Sequence, residues 1–156
     1  MPDAIKAREL ASLVGIEQEP SSWLEITQER VNRFADATND HQFIHIDAEK
    51  AAQTPFRGTI AHGFLTLSLL PYLLAEKARP VEDTVMGINY GLEKVRFLQP
   101  VRVGSRIRAR QVLLEAVEKR PGQWLTRTAV TIEIEKLEKP AMVAEFLALI
   151  MVRKSP

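Results

Sequence analysis

From Pro80 onward the chain is punctuated into four long segments of strand character, and these set the tightest limits on the fold. Thr84–Leu98, Ser105–Glu118, Trp124–Leu137 and Ala141–Arg153 are separated by Pro100 with Gly104, by Pro121-Gly122 and by Lys139-Pro140. Such residues turn a chain rather than extend it. In the third segment Trp124, Thr126, Thr128, Val130, Ile132 and Ile134 alternate with Leu125, Arg127, Ala129, Thr131, Glu133 and Glu135, the pattern of a strand with one wet face at its far end. The last segment is apolar on both faces, with Met142, Ala144, Phe146, Ala148 and Ile150 on one and Val143, Leu147, Leu149 and Met151 on the other. Both faces must then be covered, which predicts a central place in the sheet.

The first half reads as helices. Ile5, Leu10, Leu13 and Val14 fall at roughly helical spacing before Gly15, predicting an N-terminal helix over about 3–15. Ser22–Ile26 reads as a short strand. Thr27 is a suitable N-cap for a helix over Gln28–Ala37, with Val31, Phe34 and Ala35 on one face. Thr38-Asn39-Asp40 then breaks it, because these side chains compete for backbone hydrogen bonds. Asp47 caps a second short helix through Gln53, and Pro55–Ile60 is a loop. Phe64–Ala75 is apolar nearly all round, which predicts burial on every side, and Pro71 predicts a kink or an early end. Helices first and hairpin-linked strands second make an α+β domain, with a long antiparallel sheet wrapping one hydrophobic helix. The 156 residues suit a single domain, 1–156.

Bulk composition removes several function classes. Lys plus Arg (21) against Asp plus Glu (20) leaves a formal charge of +1, so nothing points to nucleic acid or an anionic membrane surface as a partner. No apolar run approaches the roughly 20 residues of a membrane span. The absence of cysteine excludes disulfides, a thiolate nucleophile and sulfur-based zinc sites, and fits a reducing compartment. Without a secretion-type N-terminus, the expected location is the cytoplasm.

All three histidines fall between positions 41 and 62. Asp40 and His45 straddle a turn and a short apolar step, Phe43-Ile44, so both can point into one apolar pocket. Desolvation there would shift their proton affinities, as acid–base work requires. The same residues also suit a capped turn and a satisfied core histidine. His41 and His45, four apart with Asp47 nearby, would need one helical face to hold a metal. The segment reads as a turn, so neither a metal nor a cofactor is expected.

The run Phe34-Ala-Asp-Ala-Thr-Asn-Asp40-His-Gln-Phe-Ile-His45-Ile-Asp47, followed by Ile60-Ala-His62-Gly63, closely resembles the MaoC-like dehydratases, the (R)-specific enoyl-CoA hydratases of the hot-dog fold. Gly87-Ile-Asn-Tyr-Gly-Leu-Glu-Lys-Val-Arg-Phe97 and Pro100-Val-Arg-Val-Gly104-Ser resemble the short nodulation-protein-N-like branch. The resemblance extends from about Trp23 onward. It implies that Asp40 and His45 are a catalytic pair, that the sheet wraps the helix after Gly63, and that the protein is a homodimer. The implied substrate is a 2-enoyl thioester of coenzyme A or acyl carrier protein, hydrated reversibly. Gly63, at a helix start with no side chain, offers its N–H to the thioester oxygen. Asn89 and Tyr90 are expected to line the acyl or pantetheine channel, while His62 supports the loop. Arg57, Lys94, Arg96, Arg102, Arg106 and Arg108 are candidates for phosphate contacts. Two features depart from the family. His41-Gln42-Phe43 stands where many relatives have Asn-Pro, and Pro71 stands where some carry a serine. A thioesterase on the same fold and a non-catalytic acyl-thioester binding module are the competing readings.

Overall fold

The computed structural model describes residues 3–153. A 3-10 helix at Ala7–Leu13 replaces the longer N-terminal helix expected from the spacing, and buries Leu10. Strand β1 (Leu24–Glu25) leads into α1 (Gln28–Thr38), with the Thr27 hydroxyl accepting from the Arg30 N–H at 3.2 Å as a cap should. Two short helices follow, α2 (Phe43–Ile46) and α3 (Ala48–Ala52). Asp47 caps the latter by accepting from the Lys50 N–H at 3.0 Å.

The apolar stretch forms two helices, α4 (Gly63–Ser68) and α5 (Leu70–Ala75), divided at Leu69. Pro71 accounts for the break, since it has no N–H to offer the preceding turn. The expectation of burial on every side is corrected. Leu65, Leu69, Leu70, Leu73 and Leu74 are buried, but Phe64, Pro71 and Tyr72 are exposed in the single chain.

The strands β2 (Thr84–Phe97), β3 (Arg106–Arg120), β4 (Gln123–Ile134) and β5 (Met142–Val152) lie close to the boundaries read from the punctuation. With β1 they make one antiparallel sheet in the order β1-β3-β4-β5-β2. The doubly apolar β5 sits between β4 and β2, as its two dry faces require. The inward residues Ile107, Ala109, Val130, Ile132, Met142 and Ala144 pack with the buried leucines of α4 and α5 into one core. This is the sheet-around-helix arrangement of the α+β expectation.

Strand β2 is the open edge. Val85, Met86, Ile88, Tyr90 and Leu92 are all exposed along it. One groove is bordered by this edge (Asn89 to Leu92) and by Leu67, Ser68 and Pro71 of the two helices. The uncovered strand edge and the uncovered helix face therefore adjoin. A long, apolar, unprotected edge is the kind that proteins cover.

Candidate active site

Asn39 ends α1 in the left-handed conformation (φ 58°), which asparagine tolerates better than most residues. The chain reverses there, leaving the Asp40 side chain 50% exposed. The next residues form a single helical turn, α2, where a non-helical turn was expected. That turn carries His45 inward until it is 6% exposed.

Each end of His45 is held. Its Nδ1 lies 2.7 Å from the Ile60 carbonyl oxygen, which can only accept, so Nδ1 carries the hydrogen. In the neutral ring Nε2 then holds a free lone pair. The His45 carbonyl accepts from Gln28 Nε2 at 2.7 Å, and the Gln28 amide oxygen accepts from the Thr59 hydroxyl at 2.6 Å. Burial holds the His45 pKa below its usual 6.5, helped by nearby His62 and opposed by the Ile60 carbonyl and Asp40. The ring is therefore neutral at pH 7.

Asp40, His45 and His62 each bring a ligand-type atom to within 4.8 Å of the others. Asp40 is half exposed rather than buried, contrary to the expectation that both side chains point into one apolar pocket. His62 is buried, stacks on His45 with ring centroids 3.7 Å apart, and donates from Nε2 to the Asp40 main-chain oxygen at 3.0 Å. The trio is poorly shaped for a metal. The lone pairs of two stacked rings inclined by 23°, with centroids 3.7 Å apart, lie in nearly parallel planes, a poor arrangement for converging on one ion. The other candidate set is dispersed: exposed His41 pairs with Asp36 at 2.8 Å, and Asp47 is occupied in capping α3.

His45 opens onto a cleft of about 310 Å³ lined mainly by apolar side chains, among them Phe56, Ile60, Phe97 and Val101. Gly63 lines it too. As the first residue of α4, its N–H is one that helix geometry leaves unpaired. A side chain here would crowd the cleft, because an added Cβ would stand 3.1 Å from the Phe97 ring. Thr66, buried one turn along α4, also lines the cleft. Sequence reading missed Thr66 and Gln28, although Thr66 lies three residues from Gly63 on the same helix face.

Asn89 and Tyr90 do not join this cleft within one chain. They border the groove beside α4 and α5, so any acyl or pantetheine channel they line would run through that groove. Ser68 is also in that groove and donates to the Phe64 carbonyl. Of the six cationic candidates, Lys94 is paired with Glu145, Arg106 with Glu135 and Arg108 with Glu133. Arg102 donates to the Arg57 carbonyl at 3.0 Å, which fixes the loop between two cleft-lining residues, Phe56 and Ile60.

The family described as MaoC like domain matches residues 9–136. The chain belongs to the MaoC-like family. It is 47% identical over 146 residues to nodulation protein N of Rhizobium meliloti, an alignment covering 93% of this chain and 91% of that protein. It is 50% identical over 137 residues to 3-hydroxyacyl-thioester dehydratase Z of Mycobacterium tuberculosis, covering 88% and 90%. Among solved structures, the unliganded R-hydratase of Pseudomonas aeruginosa superposes with a TM-score of 0.69 at 26% identity, covering 99% of this chain and 89% of that one. The MaoC-like assignment accounts for the hot-dog architecture, a curled antiparallel sheet around a hydrophobic helix. No helix among the described residues is long and apolar enough to cross a membrane.

Proposed function

We propose that this MaoC-like protein is a cytoplasmic (R)-specific 2-enoyl-thioester hydratase, equally a 3-hydroxyacyl-thioester dehydratase, working as a homodimer on coenzyme A or acyl-carrier-protein thioesters. The observation that carries the reading is a buried His45 with Nδ1 tied to the Ile60 carbonyl, a ring nitrogen within 4.8 Å of an Asp40 carboxylate oxygen, and an apolar cleft beside it. The names of the relatives, a 3-hydroxyacyl-thioester dehydratase and an R-hydratase, support the same chemistry.

Hydration requires a water aimed at Cβ, a proton delivered to Cα, and stabilisation of the enolate-like oxygen between those events. His45 Nε2 and the Asp40 carboxylate are both acceptors, so together they bind the two hydrogens of one water. Its lone pair is then turned toward the substrate. One water O–H bond breaks as the Cβ–O bond forms, His45 takes the proton, and the electrons of the double bond move toward the thioester oxygen. The Gly63 N–H binds that oxygen; a donor of this kind typically contributes roughly 10²–10³ in rate. His45 then returns a proton to Cα and recovers its neutral form. No cofactor enters this scheme.

Crotonyl-CoA decides between the readings. The expected result is loss of the conjugated-enoyl absorbance without free thiol. Thiol release would favour the thioesterase, and silence toward both short and long enoyl thioesters would favour a binding module.

The working form has His45 unprotonated. The acidic limb of kcat/KM is therefore expected below 6.5, because burial holds the histidine down. The sign for stability is the same. A histidine with a lowered folded pKa contributes stability that is present above the unfolded value and lost as pH falls below it. A pH–rate profile with its acidic limb above 6.5 would contradict the neutral-base assignment.

The adjoining open β2 edge and helix face favour dimerisation through them, extending the sheet across both subunits. Asn89 and Tyr90 would then face the partner. Sedimentation should show a dimer at assay concentration, and a stable active monomer would rule this out.

A further inference from the structure

His62 is 2% exposed, yet its Nδ1 is buried with no hydrogen-bond partner. Such an orphan acceptor is destabilising, and an apolar ring of similar shape would avoid it. Two of the other side-chain contacts of this histidine run to the site. Its Nε2–H holds the Asp40 main-chain oxygen at 3.0 Å, its face stacks on His45 at 3.7 Å, and Phe34 packs beside it with ring centroids 5.0 Å apart. It is also the N-cap residue of α4, directly before Gly63.

We propose that His62 is the positioning residue of this site, setting Asp40, His45 and the Gly63 N–H in register with one another. This rests on the hydratase reading above. Asp40 needs such a tie. Its carboxylate is half exposed and accepts one long bond, 3.4 Å, from the Gln42 N–H. It also follows a left-handed residue at the end of a helix, where nothing regular constrains the backbone. The bond to His62 spans 22 residues of sequence and anchors that segment to the start of α4. His45 is tied by Ile60 and Gln28, and stacking on His62 adds a restraint on the tilt of its ring. A water shared by two acceptors tolerates little error, since displacements of about 1 Å can lower rates 10²-fold.

Two substitutions separate the parts of this role. His62→Phe keeps a buried ring and the stack but loses the donor. His62→Gln keeps a donor at similar reach and loses the stack. The phenylalanine variant is expected to fold, to lose at least about tenfold in kcat with KM little changed, and the glutamine variant to recover part of that loss. A second readout needs no activity: the NMR titration of His45 should move upward in both variants. His62 is one of the groups holding it down, and loss of the Asp40 tie in the phenylalanine variant also removes part of the opposing pull of Asp40, so the rise should be smaller there than in the glutamine variant. A glutamine variant no better than the phenylalanine one would show that the donor does not carry the effect and overturn the proposal. So would wild-type kcat with an unmoved His45 titration in whichever variant folds. A wild-type chain without hydratase activity sinks the functional reading instead, and the His45 titration then decides the positioning role alone.

Discussion

His45→Gln is expected to lower hydration turnover by about 10²-fold or more, the lower range for a positioned acid–base group. Glutamine preserves bulk and hydrogen-bonding capacity but supplies no lone pair basic enough to take a proton from water. Asp40→Asn should be impaired to a similar degree, because the amide replaces an anionic acceptor and turns a donor toward the water. The informative result is the double variant. If the two side chains hold one water between them, losing either releases it, and losing both adds little. Steady-state kinetics on the two single variants and the double variant, with circular dichroism to check folding, gives the answer. Independent, multiplying losses would show that Asp40 and His45 do not act as a unit. Near-wild-type turnover in a folded single variant would remove that residue from the mechanism.

The sheet was legible because its signals are local and redundant. Turn residues bound each strand, alternation fixes which face is dry, and the doubly apolar β5 could lie only inside the sheet. The caps at Thr27 and Asp47 were legible for the same reason, since each acts within three residues of itself. The site was less so. A four-residue helix such as α2 is too short to show a period, and only that turn explains why His45 is buried while His41 faces outward. Gln28 reads as a solvated residue in a first helical turn, and its bonds to the His45 carbonyl and Thr59 exist only after long-range packing. For Asn89 and Tyr90, alternation says which way a strand's side chains point, not what lies opposite them. On an edge strand that neighbour is groove or partner. The spacing of Asp40 and His45 fits a capped turn equally well. Their pairing came from the family resemblance, and the geometry adds the tautomer and the role of His62.

Stereochemistry is the second large effect. In the proposed mechanism Asp40 and His45 hold water on one side of the cleft and the Gly63 N–H fixes the thioester oxygen, which would keep the flat enoyl group from turning over. Attack at Cβ from one face gives one enantiomer, and the proposed function expects the (R)-3-hydroxyacyl thioester. The most direct measurement mixes the protein with crotonyl-CoA, NAD and an (S)-specific 3-hydroxyacyl-CoA dehydrogenase. The expected result is loss of the enoyl absorbance with no NADH formed, and NADH appearing only when an (R)-specific dehydrogenase is substituted. NADH rising as fast as the double bond disappears in the (S)-specific assay would contradict both the pose and the assigned reaction.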